Sequence, residues 1–186
     1  MHKEDDILIQ EIRNGSQEAF DHLMQNYQDQ VFRVAHSFSK NSETAMDITQ
    51  NIFLKVYQNL NRFRGESQFK TWLMRIAFNE SFNWVKKNQK YQPQQDIEQT
   101  SGEAQISISQ EDEYLTKENR TILLRSLYEL NTKHRLAIVL RYFENYSIKD
   151  IAKILKCSEG VVKNILFRSL RKMKDNIRLI ESGEVQ

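Results

Sequence analysis

One cysteine, one proline and five glycines in 186 residues are the first limits on what this chain can be. With Cys157 alone no internal disulfide can form, which rules out a scaffold held by cross-links and fits a reducing compartment. The only proline, Pro93, and Gly102 fall in one polar stretch, so neither interrupts the periodic segments on either side. No apolar run approaches the length of a membrane span. The start, Met1-His2-Lys3-Glu4-Asp5-Asp6, lacks the basic-then-apolar order of a signal peptide, and the expectation is a cytoplasmic protein without membrane insertion. Charge of one sign is not in excess either. Lys and Arg number 27 against 25 Asp and Glu, and a net charge of +2 is too slight to announce a nucleic-acid partner. His2, His22, His36, His134 and Cys157 show no metal-ligand spacing. No glycine-rich phosphate loop and no paired histidine and carboxylate motif occur, so no metal, cofactor or catalytic residue is expected. What is present, 39% apolar and 28% charged residues, is an ordinary globular composition, long enough for one large or two small domains.

The periodicity is helical, with little strand signal. Leu8 and Ile12 share one face of a short opening helix ended by Gly15. Ser16 can cap a second helix, through Phe20, Leu23, Met24, Tyr27, Val31, Val34 and Ala35. Ser42 is the expected cap of a third, in which Ala45, Ile48, Thr49, Ile52, Val56 and Leu60 gather on one side. That arrangement leaves Asp47, Gln50, Leu54, Tyr57 and Gln58 outward. An outward Leu and Tyr are either solitary surface apolars, which the sequence favours, or a docking face for a partner helix.

The segment Phe63 to Asn79 reads as a loop feeding a helix. Gly65 is free to take angles that block a helix, Ser67 has an N-cap oxygen, and Phe69, Trp72, Leu73 and Ile76 form the expected core stripe. At about 100° per residue, Thr71, Met74, Arg75, Phe78 and Phe82 fall opposite that stripe, with Lys70 and Asn79 flanking and Lys86 a turn onward. Aromatics among cations and amides suit a surface that stacks unpaired bases and neutralises their phosphates. A helix buried on both sides is the alternative, and the segment by itself favours it.

Residues 88–112 are rich in Gln and Ser and show no apolar periodicity, which predicts a flexible linker between a domain at 1–87 and another at 113–186. In the second, a helix through Leu115, Ile122, Leu123 and Leu127 precedes one opened by Thr132, with Leu136, Ala137, Val139, Leu140 and Phe143. Ser147 and Asp150 make a capping-box-like start, Ile148, Ile151, Ala152 and Leu155 form a stripe, Lys156-Cys157-Ser158 turns, and Ser158 caps the last helix. This is a helix-turn-helix pattern. Val162, Leu166, Ser169, Leu170 and Met173 are expected inside. Lys163, Asn164, Phe167, Arg168 and Arg171 are expected outside, in position to meet phosphates and base edges in a major groove.

Three stretches then resemble the bacterial extracytoplasmic-function sigma factors. These are Asp47-Ile48-Thr49-Gln50-Asn51-Ile52-Phe53-Leu54-Lys55-Val56-Tyr57, then Phe63-Arg64-Gly65-Glu66-Ser67 with Phe69-Lys70-Thr71-Trp72-Leu73 and Arg75-Ile76-Ala77-Phe78-Asn79, and finally Leu140-Arg141-Tyr142-Phe143 leading to Ser147-Ile148-Lys149-Asp150-Ile151-Ala152. The resemblance implies an all-α protein of two small domains that binds core RNA polymerase and promoter DNA, both duplex and single-stranded. It implies a polymerase-binding face at Asp47, Gln50, Asn51, Leu54 and Tyr57. It implies strand capture and melting at Arg64, Lys70, Thr71, Trp72, Arg75, Phe78 and Asn79, with Asn79 in the pocket of a flipped base. Duplex recognition falls to Lys163, Asn164, Phe167, Arg168 and Arg171, catalysis stays with the polymerase, and an anti-sigma factor is a possible further partner. Lys156 stands where a glycine is common, Val161 where a threonine is frequent, and Asn164-Ile165 where Ser-Arg is frequent, which leaves the recognised promoter sequence open. Two rivals remain at this point, a transcriptional regulator with a sensing or dimerising first domain and an enzyme acting on nucleic acid.

Overall fold

The computed structural model describes residues 2–39, 41–89 and 117–182. Every regular element among them is helical. They fall into two compact units, one on each side of the stretch from 90 to 116. Residues 90–112 of the expected linker, and Leu115, lie outside the described residues, whereas Asn88 and Gln89 belong to the fourth helix.

The first unit consists of α1 (His2–Arg13), α2 (Gln17–Ser39), α3 (Ser42–Asn59), a 3-10 turn (Leu60–Arg62) and α4 (Phe69–Gln89). Helix α2 packs on α1, α3 and α4, so it is apolar along most of one side, from Ala19 and Phe20 to Phe38. As expected, Gly15 takes a left-handed φ of 96° after α1 and Ser16 Oγ accepts the amide of Ala19 at 3.2 Å. The cap of α3 differs: Asn41 Oδ1 accepts the Thr44 amide at 2.9 Å, one residue before the expected Ser42. Ser67 is likewise no cap, since its hydroxyl points at the Gln68 carbonyl at 3.4 Å. In α1 the fully buried residue is Ile9, between the half-buried Leu8 and Ile12. The tyrosine hydroxyl of Tyr27 donates to Asp5 at 2.7 Å and ties α1 to α2; burial, then that carboxylate, raises its pKa.

The second unit is built on α8 (Glu159–Glu181), which packs against α5 (Lys117–Tyr128), α6 (Thr132–Ile138) and α7 (Ile148–Leu155). Helix α6 continues into a π-helical turn, Val139–Phe143, and Asn145 then reverses the chain with a left-handed φ of 55°. The helix-turn-helix expectation holds in its details. Ser147 Oγ accepts the Asp150 amide at 3.1 Å and donates to that carboxylate at 2.6 Å, and Ser158 Oγ accepts the Val161 amide at 3.3 Å. Lys156, between the two helices, is left-handed at φ 52°, and the Cys157 amide reaches back to the Ala152 carbonyl at 3.0 Å. A glycine takes this conformation without the clash between Cβ and carbonyl. Lys156→Gly is therefore expected to stabilise the second unit by about 1 kcal/mol. Thermal unfolding followed by circular dichroism checks this, and an unchanged midpoint excludes strain at the turn.

Candidate functional site

Three outward surfaces emerge from this packing. On α3 the inner side is closed by Ala45, Ile48, Ile52, Phe53 and Val56, all buried. Asp47, Gln50, Asn51, Leu54 and Tyr57 are all exposed opposite it, Leu54 at 56% and Tyr57 at 50%. Met46 is 56% exposed and falls at the edge of the same side by helical angle, next to the direction of Tyr57; the sequence reading missed it. Its signal was a third apolar residue, four before Gln50. The Tyr57 ring is steadied from below by an edge contact with Phe20, centroids 4.9 Å apart. Apolar groups ringed by an acid and amides on one helix make a surface that can dock on a partner helix.

The second surface lies on α4 and the loop before it. Phe63, Phe69 and Trp72 stack at centroid separations of 5.3 to 5.8 Å, with Tyr27 5.5 Å from Phe69. This aromatic cluster pins both ends of the loop, while Gly65 at φ 73° turns it and Arg64 and Glu66 stay exposed. The expected outward arc of α4 needs correcting. Thr71 is 3% and Met74 1% exposed, so both face inward, and Thr71 cannot line a strand-capture surface. The reason is that α4 packs against both α2 and α3, which buries Phe69, Thr71, Leu73, Met74, Ala77 and Ser81 over more than half the circumference. A narrow strip remains. Arg75, Phe82 and Lys86 are exposed and Asn79 half-buried, at the i, i+4, i+7, i+11 spacing of one helix edge, with the half-buried Trp72 a turn before Arg75. Phe78 is half-buried between Phe38 and Phe82, with centroids 6.0 and 5.8 Å away, and the half-buried Lys70 falls on the other side of α4 by helical angle, so it does not join the strip.

The third surface is on α8. Lys163, Asn164, Phe167, Arg168 and Arg171 are all exposed, Phe167 most of all at 67%. The inner side holds Val162, Ile165, Leu166, Ser169 and Met173. Leu170 was expected there and is 43% exposed, whereas Ile165, not expected inside, is buried. His134 proves to be a packing residue, its Nδ1 2.9 Å from Ser169 Oγ, which joins α6 to α8. Burial, then the charges of Arg168, Lys133 and Lys172, hold its pKa below the usual value. Among the described residues no cluster of His, Cys, Asp and Glu could hold a metal ion, and no helix is long and apolar enough to cross a membrane.

Known proteins resemble both units. Residues 23–91 match Sigma-70 region 2 and residues 126–175 match Sigma-70 region 4. The chain is 34% identical to the ECF RNA polymerase sigma-E factor of Escherichia coli K12 across 92% of this chain and 93% of that one. It is 32% identical to the RNA polymerase sigma-H factor of Pseudomonas aeruginosa across 90% of each. Among solved structures, CnrH, described in complex with the cytosolic domain of CnrY, shares the fold with a TM-score of 0.68 and 22% identity over 96% of this chain and 98% of that one. The sigma factor RpoE of Bartonella quintana, in complex with the anti-sigma factor NepR, has a TM-score of 0.66 and 18% identity over 86% of this chain and 97% of that one. The chain belongs to the sigma-70 family of transcription initiation factors, among its extracytoplasmic-function members. It is a non-enzymatic factor, which sets aside the nucleic-acid enzyme, and a ligand-sensing regulator leaves the region 2 match without a role.

Proposed function

We propose that the chain binds core bacterial RNA polymerase in the cytoplasm through the outward face of α3, reads an upstream promoter element with α8, and opens the downstream element with the Phe63 to Asn79 segment. The observation that carries this reading is the α3 face, where Leu54 and Tyr57 stand 56% and 50% exposed among Asp47, Gln50 and Asn51, opposite the side that packs α3 into its unit. Such a face has no role in a factor that works alone. On α8, an amide and three cations around Phe167 offer hydrogen bonds to base edges, contact with a thymine methyl and charge for phosphates. The two solved neighbours are described with bound partner proteins, and an anti-sigma protein covering these surfaces is a reasonable regulator of this chain too.

Melting is assigned to the α4 strip and its loop. Extruding a base costs a few kcal/mol of stacking and pairing, so a factor without fuel must recover that energy by capturing the strand. Asn79, beside Arg75 and Trp72, supplies an amide, a cation and a ring face. Asn79→Ala is expected to leave closed-complex binding intact and lower the open fraction, with the melting part of the defect removed on a template premelted by mismatches. Permanganate footprinting of unpaired thymines on matched and premelted promoters measures this. Wild-type opening on the paired promoter would make Asn79 a structural residue.

A further inference from the structure

We propose that Arg13, in the last turn of α1, is a positioning residue for strand capture: by holding the Phe63 carbonyl it presets the Arg64 to Ser67 loop to receive an unpaired promoter base. This role rests on the melting reading of the Phe63 to Asn79 segment given above, and it belongs to a residue that touches no DNA.

Among the described residues the loop has few ties of its own. Arg64, Gly65, Glu66 and Gln68 are exposed, and the Ser67 hydroxyl makes only a long contact, 3.4 Å, with the Gln68 carbonyl. Where the loop begins, the 3-10 turn closes with the Phe63 amide on the Leu60 carbonyl at 3.0 Å. Among the described residues no backbone amide donates to the Phe63 carbonyl itself. Arg13 Nη2 does, across 50 residues of sequence. A trans peptide is planar, with its carbonyl and N–H antiparallel, so fixing the Phe63 carbonyl also fixes the Arg64 amide, which aims away from the guanidinium. The buried Phe63 ring, packed on Phe69 and Trp72, holds the same residue from its other side. Held by ring and by carbonyl, Phe63 launches the loop in one direction.

Arg13 is itself firmly placed. Gly15 ends α1 at a left-handed φ of 96°, and the Ser16 amide returns to the Glu11 carbonyl at 3.0 Å. Further back Ile9 is buried, and Asp5 accepts from Tyr27, whose ring also meets Phe69 at 5.5 Å. Helix α1 thus reaches the aromatic cluster from both ends, through Asp5 and Tyr27 at one and through Arg13 and Phe63 at the other. A cation in the last turn of a helix can serve the carbonyls of its own helix; this one serves the entry to the loop. A loop already in its receiving form loses less conformational entropy when the base arrives, so more of the contact energy goes into holding the strand.

The experiment uses the full chain with core polymerase and short single-stranded oligonucleotides of the downstream element, in the cognate sequence and with each base replaced in turn, across a salt series. Tryptophan fluorescence checks that each variant keeps the first unit folded. Arg13→Met retains most of the stem and removes the planar fork. It is expected to weaken cognate binding by about tenfold, the effect of one hydrogen bond from a charged group. Binding to the strand altered at the captured base should fall less, so discrimination at that position narrows. The salt slope should stay that of the wild type, because no phosphate contact is lost. Arg13→Lys, which can still donate, should recover part of both losses. Ile48→Val, a core truncation on the inner side of α3, is the stability control: it lowers the unfolding midpoint and should keep wild-type discrimination. Wild-type affinity and discrimination in Arg13→Met overturn the proposal. So does a uniform loss across the strands, which with a shallower salt slope makes Arg13 a phosphate contact. The same narrowing in Ile48→Val also overturns it, since the effect is then one of general stability. Failure of the wild-type chain to discriminate among the strands would instead remove the capture reading itself, and the positioning role with it.

Discussion

Leu54→Arg is expected to remove most of the chain's affinity for core polymerase while leaving the first unit folded. Leu54 is 56% exposed, so an arginine there costs the fold little; its inner neighbours on α3, Ile52 and Val56, are 0% and 1% exposed and untouched. On binding, the same position must enter an apolar contact, where a guanidinium without a partner is strongly disfavoured. A central apolar anchor in an interface contributes about 2 to 4 kcal/mol on truncation, which is roughly 30-fold to several hundredfold in affinity. Tyr57→Ala should weaken binding less cleanly, because it also removes the ring contact with Phe20, centroids 4.9 Å apart. Trp72 and Trp84 both lie in the first unit, so their fluorescence reports its integrity while a pull-down reports binding. Unchanged polymerase affinity in both variants would take the α3 face out of the proposal.

Arg135→Ala is expected to unfold the second unit preferentially. Arg135 is only 5% exposed. Its Nη2 donates to the Leu130 carbonyl at 2.9 Å and the Tyr128 carbonyl at 3.2 Å, and the guanidinium lies 5.1 Å from the Tyr128 ring centroid. These carbonyls are left over at the end of α5, where the helix can no longer supply amides. Burial lowers the guanidinium pKa, opposed by Tyr128 and Glu129, and pushes the Tyr128 hydroxyl up to about 12. Truncation removes the donor to both carbonyls, the Leu130 one buried, and leaves a cavity beside Tyr128, a loss of about 3 kcal/mol. Arg135→Lys keeps the charge but offers no planar fork, and should fall between the two. The expected signature is an early loss of helical dichroism with tryptophan fluorescence unchanged, since both tryptophans are in the other unit. A wild-type melting profile for Arg135→Ala would show that the end of α5 is satisfied without it.

Much of the fold was legible because an amphipathic helix announces both its sides. For α3 one inner stripe implies one outer face, and the outward residues read from spacing are the exposed ones. The same holds for Lys163, Asn164, Phe167, Arg168 and Arg171 on α8. The serines at 16, 147 and 158 were legible as caps because a short side-chain oxygen at the head of an apolar period has few other uses.

What the sequence by itself determined, then, is the run of helices, most of their starts and the direction of any helix that has a single buried side. The tertiary structure decided how wide each buried arc is. Helix α3 also packs on two helices and keeps one open face, whereas on α4 the contacts with α2 and α3 turn Thr71 and Met74 inward and the exposed strip shrinks to the line of Arg75, Asn79, Phe82 and Lys86. It also decided the fate of Arg135. A cation reads as surface in any local window, and only the convergence of the Tyr128 and Leu130 carbonyls with an aromatic face makes burial favourable. Asn41 and Ser42 show the same limit at the smallest scale: adjacent residues with equivalent oxygens can both cap α3, and in the folded chain it is Asn41 that accepts the Thr44 amide.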